Sequence, residues 1–283
     1  AYTYLRMSFV PPQFSNLGKK TKDLFKKQYD FKNEVKVISK AQNGVVVESG
    51  GYYQAKGLAG YSKVAWTEKS IGAFEVEAHS SGECKGKLVT KKYEGAGATI
   101  EGAPAGLSVE AVYSKDAFTA STKVSHNIEK CETNVNVGAV VGFDGISVGG
   151  NVDFSAANPS APTDFNIGAE CSQKDLVGTI VTSNKLLDIT ASYFQTISAK
   201  LVLGSSLTVK PDSRLFVTGG EYTLDKFTTL KFKGDSVGVV ATAVTHTLAS
   251  PPAKIAASAQ FDTQSSNPFT PQKFGLSVTF GDF

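Results

Sequence analysis

A strict period of two in side-chain polarity constrains the fold of this chain more than any other feature. In residues 273–280, Phe274, Leu276, Val278 and Phe280 occupy every second position, and Lys, Gly, Ser and Thr lie between them. Successive side chains of a β-strand point to opposite faces, so this strand would have one apolar and one polar face. Such a strand fits the boundary between an apolar medium and water.

The same alternation recurs through most of the chain. It is present in the stretches 107–113, 135–143, 146–154, 165–172, 230–233 and 254–261. Short clusters rich in Gly, Pro, Asn and Asp separate these stretches, and no crossover-helix pattern lies between them. The sequence therefore predicts an all-β protein whose strands form an antiparallel meander.

Strand number and hydropathy point to a closed sheet. A membrane strand takes ~9–11 residues, so with short turns the ~250 residues after the N-terminal region hold about 19 strands. No run reaches the roughly 20 apolar residues of a membrane helix. Closure would remove unpaired sheet edges, which cannot persist in lipid. Alternation supports a membrane barrel and a soluble sandwich about equally, because a sandwich also buries one face of each strand.

Charge and composition exclude several classes of function. The formal net charge is +3, and Arg6 and Arg214 are the two arginines of the chain. Nucleic-acid readers favour Arg for bidentate base contacts, so we expect no nucleic acid as the main ligand. Cys84, Cys131 and Cys171 are odd in number and widely spaced, which indicates neither a disulfide framework nor a metal site. We find no nucleophile–base pair, and so expect no enzymatic activity and no cofactor.

One segment near the N-terminus predicts a helix. Pro11 and Pro12 precede it, and Ser15 or Asn16 can cap it. Its apolar stripe follows helical spacing through Phe14, Leu17, Thr21, Leu24, Phe25 and Gln28. Its other face is basic, with Lys19, Lys20, Lys22, Lys26 and Lys27. The segment is either a surface helix packed on a domain or a helix lying along a wet wall with its lysines in water.

Residues 10–31 resemble the start of the mitochondrial voltage-dependent anion channel family. The shared features are a Pro-Pro pair, a Leu-Gly-Lys at residues 17–19, a basic–Asp–apolar–Phe run and a Lys before Tyr29 and Phe31. Stretches 140–154 and 222–248 resemble the same family, in the same order. The last strand resembles the sorting signal of mitochondrial outer-membrane barrels, with the matching positions Lys273, Gly275, Leu276, Val278 and Phe280.

The resemblance implies a transmembrane β-barrel of 19 strands with the N-terminal helix inside the lumen. Residues 1–10 would form an extension, 11–30 the basic helix and 31–283 the barrel. An odd strand number would make the first and last strands pair in parallel. The implied activity is voltage-gated, weakly anion-selective diffusion of ATP, ADP, phosphate and other metabolite anions across the mitochondrial outer membrane. Membrane lipid is the implied surrounding, and homo-oligomers or association with other mitochondrial membrane proteins stay open.

A pore of this kind needs basic side chains on its wet surface, because they raise the local concentration of anions. The predicted anion-contacting residues are Lys19, Lys20, Lys22, Lys26, Lys27, Arg214, Lys231 and Lys233. Lys254 and Lys273 also fall on the polar parity of their strands. Lysine suits transient contact with phosphate because it is a flexible point charge. By resemblance, nucleotide contact falls on Lys19 and Lys27.

The sequence departs from the family in two places. The family follows its helix with a Gly-Tyr-Gly-Phe-Gly hinge, whereas residues 28–32 here read Gln-Tyr-Asp-Phe-Lys. Glycine adopts backbone conformations that other residues resist, so any hinge here should be stiffer. A family Gly-Leu-Lys associated with nucleotide binding corresponds to residues 106–108, which end in Ser108.

Other functions share some of these features. The protein-import pore of the same membrane has the same fold, but its members carry a longer N-terminal region and pass basic presequences. A soluble all-β binding module, such as a lectin, would alternate in the same way. A bacterial porin fits less well because we see no secretory signal, although the chain ends in Phe283.

Overall fold

Nineteen strands hydrogen-bond in sequence order and close on themselves, with one short α-helix preceding them. The computed structural model describes residues 9–54, 57–266 and 270–281. The first ten strands are β1 Asn33–Lys40, β2 Val46–Gln54, β3 Gly57–Glu68, β4 Gly72–His79, β5 Cys84–Thr90, β6 Ala96–Ala103, β7 Gly106–Lys115, β8 Phe118–Asn127, β9 Glu132–Phe143 and β10 Ile146–Ser155. The others are β11 Asn158–Ser172, β12 Leu176–Ser183, β13 Asp188–Ser198, β14 Leu201–Val209, β15 Arg214–Thr223, β16 Thr228–Asp235, β17 Val239–Ala249, β18 Pro252–Asp262 and β19 Lys273–Gly281.

The first and last strands seal the barrel. β1 pairs with β19 in parallel, with Glu34 opposite Ser277 and Val37 opposite Phe280. Consecutive strands pair antiparallel, as β1 does with β2 and β18 with β19. An odd number of strands in a meander forces this one parallel seam, because the first and last strands then run in the same direction. The predicted all-β barrel of 19 strands is confirmed.

The outer face of the barrel is apolar. On β9, Val141 and Phe143 are 57% and 77% exposed, whereas their neighbour Val140 is 1% exposed on the inner face. The same outer parity carries Ile146 on β10 and Ile167 on β11, both more than half exposed. Soluble proteins rarely expose contiguous apolar surface of this extent. The soluble binding module considered above therefore does not fit, and the face suits hydrocarbon.

The N-terminal segment lies inside the barrel. It contains a 3₁₀ turn at Phe14–Asn16 and the helix α1, Lys19–Lys26. Residues 9–31, called the lumen segment below, contact strands from β8 to β19. A segment this short can reach so much of the wall only across the interior. No helix within the described ranges is long and apolar enough to cross a membrane.

α1 is shorter than the predicted helical region 11–30. Gly18 precedes it in a left-handed conformation with φ of 69°, and the chain is extended again at Lys27. Gln28 then takes a positive φ of 71°. A left-handed residue interrupts the helical hydrogen-bond ladder, so the apolar stripe continues past both ends of α1 without helix.

Candidate functional site

The inner wall is shaped to receive the lumen segment. Four inner-face glycines lie directly beneath it: Gly142, Gly168, Gly204 and Gly275. A Cβ atom at Gly204 would lie 2.8 Å from Cδ2 of Leu24, closer than such atoms approach in proteins. A Cβ at Gly275 would collide with the carbonyl oxygen of Asp30. These four positions form a track, called the glycine track below, along which the segment runs.

Apolar contacts on this wall bury one side of the segment. Phe14 and Leu17 pack with Val140 and Val181, and Leu17 is fully buried. Further along, Tyr29 packs against alanines of β17. Among the described residues, the buried apolar clusters therefore lie between the lumen segment and one side of the wall.

Wall side chains satisfy the backbone at the N-terminal end of α1. The Gly18 N–H donates to Oε2 of Glu170 at 2.8 Å. Thr179 Oγ1 donates to the same carboxylate oxygen at 3.2 Å, and Thr119 Oγ1 donates to the carbonyl oxygen of Pro11 at 2.7 Å. A helix carries partial positive charge at its N-terminus, so a carboxylate is favourable there.

Two wall lysines meet the opposite end of α1. Lys233 Nζ donates to the carbonyl oxygen of Phe25 at 2.7 Å, and Lys231 Nζ donates to that of Lys27 at 3.4 Å. Lys231 also forms an ion pair with Glu221 at 3.1 Å. The last carbonyls of a helix lack intrahelical partners and carry partial negative charge, so ammonium groups satisfy them. The wall thus complements the helix dipole at both ends.

The lysines of the lumen segment are exposed. Lys19, Lys20 and Lys26 are exposed and form no ion pair with a described carboxylate. Lys27 is also exposed and pairs with Asp23 at 2.7 Å. Lys20 Nζ also lies 5.8 Å from the ring centroid of Phe194 on β13. Lys19, Lys26 and Lys27 have no such wall partner among the described residues, so their ammonium groups face the lumen.

Lys22 is engaged with the segment itself. Its Nζ donates to the carbonyl oxygen of Leu17 at 3.0 Å. Desolvation lowers the pKa of Lys22, the charge of Lys26 acts in the same direction, and Glu170 opposes them. Lys22 is nonetheless exposed, so its ammonium group bonds the segment's own backbone and stays within reach of water.

One side of the wall, which the lumen segment of residues 9–31 leaves uncovered and which is called the uncovered side below, is electrically balanced. Register places four lysines and four glutamates on the inner faces of β3 to β8: Lys63, Lys85, Lys87, Lys123, Glu75, Glu77, Glu101 and Glu110. Lys63 pairs with Glu75 at 2.9 Å and Lys87 with Glu101 at 2.6 Å. Ser108, where the family motif has lysine, lines a cavity of about 660 Å³ on this side. These eight residues thus add no net charge to the lumen.

Arg214 does not join the other predicted lining residues. β15 is regular from Arg214 onward, and Glu221 faces inward because it pairs with Lys231. Counting back by twos places Arg214 on the outer parity with Phe216 and Tyr222. The inward assignment of Arg214 is therefore corrected: as the first strand residue, it can extend to the membrane interface. Lys254 shares the inner parity of Ser258, and Lys273 that of Gly275.

Comparison with known proteins agrees with this architecture. The sequence model of the family described as "Eukaryotic porin" matches residues 10–275. This chain belongs to the eukaryotic porin family. It therefore forms a pore for diffusion across an outer membrane, surrounded by lipid and passing small solutes. The resemblance to the mitochondrial channel family is confirmed.

Plant porins are among the similar relatives of this porin. It is 26% identical to mitochondrial outer membrane protein porin 3 of Arabidopsis thaliana, over 83% of this chain and 86% of that protein. It is 24% identical to mitochondrial outer membrane protein porin 2 of Oryza sativa, over 95% of each. It is also 22% identical to an outer plastidial membrane protein porin of Zea mays, over 94% and 96%. The predicted mitochondrial outer-membrane location is confirmed by the mitochondrial relatives.

The sequence pattern does not identify several residues that bind the lumen segment. Alternation placed Glu170 on the polar parity of its strand, but Gly18 lies 152 positions away in the chain. Thr119 and Ser258 likewise bind the lumen segment across the barrel. A polar parity indicates which side chains are inward, but it does not indicate which of them the segment covers.

Proposed function

We propose that this porin is a voltage-gated, weakly anion-selective pore through which ATP, ADP, phosphate and other small metabolite anions diffuse across the mitochondrial outer membrane. The supporting observation is the charge of the segment. Residues 14–27 contain five lysines and one aspartate, a net charge of +4, beside a wall whose uncovered side is balanced. Fixed positive charge in a wide pore raises the local anion concentration without strict selection.

Anion contact is proposed for the lysines of the segment that face water. Nucleotide phosphates would meet Lys19 and Lys27 first, with Lys20 and Lys26 adding to the local field. Ammonium groups bind phosphate oxygens without the bidentate grip of arginine, so residence would be short, as diffusion requires. Ser108 supplies no charge at the position of the family lysine, which leaves the segment as the main anion-attracting surface.

The last strand is proposed as the address for membrane insertion. Leu276, Val278 and Phe280 lie on the outer parity of β19, while Lys273 and Gly275 lie on the inner parity. β19 therefore has an apolar outer face and an inner face that carries the polar residue and the glycine of this pattern. Exchanging Leu276 and Val278 for Asp should abolish import into isolated mitochondria, since charge is costly on a lipid face.

A planar-bilayer measurement tests the proposed selectivity. Purified protein in a tenfold KCl gradient should give a reversal potential of the sign that indicates anion preference. Replacing all five segment lysines, Lys19, Lys20, Lys22, Lys26 and Lys27, with Gln should move that potential toward zero.

Lys123→Gln supplies the single-charge control, because Lys123 lies on the balanced side of the wall. An open state that prefers cations would contradict the anion pore and favour the protein-import alternative, whose cargo is basic. Absence of current at every voltage would contradict the pore itself.

A further inference from the structure

We propose that Glu170, Lys231 and Lys233 are positioning residues that hold both ends of α1 on the wall, so that the lumen segment stays docked while the pore changes conductance. The docking part stands on geometry, and the part concerning conductance rests on the proposed function. The basic residues of the lumen then fall into two groups, those that position the helix and those that meet the solute.

Charge complementarity at the two ends of α1 supports the positioning role of these three residues. A single carboxylate, Glu170, accepts from the backbone before α1, and two ammonium groups, Lys231 and Lys233, donate to carbonyls at its end. Reversing the helix would place each group against the wrong end of the dipole. The wall therefore specifies both the direction and the position of α1.

Burial separates Lys231 from the pore cations. Lys231 is 5% exposed, and Glu221 together with the carbonyl oxygen of Lys27 receives its ammonium group. A buried charge is stable only while its partners remain in place. A passing anion cannot reach it, and departure of the segment would remove one of its acceptors. Lys231 thus acts on solutes only through the helix that it positions.

Lys233 also has its ammonium group bound by residues of the lumen segment. Its Nζ lies 4.4 Å from the ring centroid of Tyr29, in addition to its bond with Phe25. Tyr29 is itself buried against Ala241 and Ala243 of β17. The ammonium group thus bridges the end of α1 and the start of the linker, which explains why a lysine stands on this inner position.

The linker that follows α1 is also attached to the wall. Ser258 Oγ donates to the carbonyl oxygen of Asp30. Gly275 lets the backbone at Asp30 and Phe31 lie directly on β19, where any side chain would collide with it. With no glycine between residues 28 and 32, the linker has neither the free length nor the flexibility of a hinge. Movement of α1 would require its release at both ends and along this linker.

Cysteine accessibility tests the docking directly. In a background with Cys84, Cys131 and Cys171 replaced by Ser, Thr21→Cys places a thiol at a position that is 2% exposed, and Lys20→Cys places one at an exposed position of the same helix. The full chain in liposomes is treated with a water-soluble maleimide, and modification is followed by mass spectrometry. Docking predicts that the thiol at 21 reacts at least ~10-fold more slowly than that at 20, because reaction there awaits local opening.

Wall variants then assign the positioning roles. Glu170→Gln, Lys231→Met and Lys233→Met should each accelerate reaction at position 21 and leave position 20 unchanged. Glu101→Gln and Lys85→Met are the matched controls, since both line the cavity beside β4 to β9 that no residue of the lumen segment lines, and they should change neither rate. Equal rates at 20 and 21 in the unaltered wall, or wall variants that match their controls, would overturn the docking. Leu24→Cys, at a position 5% exposed, provides a second buried probe if position 21 disturbs folding.

The same thiols report on the voltage response. A charged methanethiosulfonate reagent is applied to single channels held at zero and at closing voltage, and the change of conductance is timed. We expect the slow rate at position 21 to be the same at both voltages. Acceleration to the rate of position 20 at closing voltage would show that the segment leaves the wall. Because the liposome measurement requires no current, failure of the pore proposal and failure of docking are distinguishable.

Discussion

At the scale of the residue, the partners of a lysine decide what its charge does. Lys231 and Lys233 carry the same side chain as Lys19 and Lys26, yet the first pair donates to backbone carbonyls of the segment while the second faces open lumen. The pair on the wall stabilises the position of a helix, whereas an exposed ammonium group attracts mobile anions. The residue type is the same in both uses, so the partners of the ammonium group separate them.

At the residue scale, we expect a side chain added on the glycine track to weaken docking of the lumen segment. Gly204→Ala should weaken the docking of α1 by about 1–3 kcal/mol, the usual cost of overpacking, because the new methyl group meets Leu24. The thermal unfolding of the segment can be followed in detergent through the fluorescence of a dye at position 26. Gly86→Ala is the control, since a Cβ there meets nothing within 4 Å. Equal midpoints for the two variants would contradict a steric role for the track.

At the scale of the element, apolar burial outweighs the membrane field acting on α1. Phe14, Leu17, Leu24 and Tyr29 are buried, and each contributes about 1.5–3 kcal/mol when removed from water. One charge crossing the whole membrane gains ~2.3 kcal/mol per 100 mV. The net charge of +4 on residues 14–27 would cross only part of the field. At a few tens of millivolts the field therefore supplies less free energy than undocking requires.

A hinge variant tests this balance at the same scale. The double substitution Gln28→Gly and Asp30→Gly makes the linker more flexible, because glycine adopts backbone conformations that other residues resist. We expect the voltage of half-closure and the steepness of closure to stay unchanged, because the anchors on α1 and the buried apolar side chains remain. The measurement is a conductance–voltage curve in planar bilayers. Closure at clearly lower voltage would mean that linker stiffness, rather than docking, holds the segment.

At the scale of the whole molecule, closure of the sheet creates two environments from one pattern. The parallel seam between β1 and β19 removes the last open edge. Apolar residues then face outward and polar residues enclose water, with the lumen segment covering one side of the wall. The asymmetry that follows is electrostatic: the covered side carries the basic helix, and the uncovered side carries paired charges.

Salt dependence is the prediction that belongs to this scale. The field of the segment extends across the lumen only as far as ions permit, about 10 Å at 0.1 M and 3 Å at 1 M. Raising both KCl concentrations tenfold at a constant ratio should therefore reduce the anion preference. Reversal potentials at the two salt levels provide the measurement. A preference that is independent of salt would indicate selection by direct contact at a narrow site instead.

Strand periodicity was readable because it is local. A period of two along residues 135–143 or 273–280 fixes which side chains share a face, whatever lies elsewhere in the chain. The basic helix and the antiparallel meander were read from equally local signals. Arg214 shows where this counting fails. The face of a residue can be counted only within a regular strand, and Arg214 is the first residue of β15, after a turn whose length the pattern does not reveal.

Closure and the path of the lumen segment decided the rest. Glu170 meets Gly18 across 152 positions, and Ser258 meets Asp30 across 228. Such contacts form only because the closed barrel places these distant residues side by side. Periodicity along the chain does not indicate which distant residues will be neighbours. The sequence therefore specified a two-faced wall and a basic segment, while the folded barrel determined which charges hold the segment and which face the water.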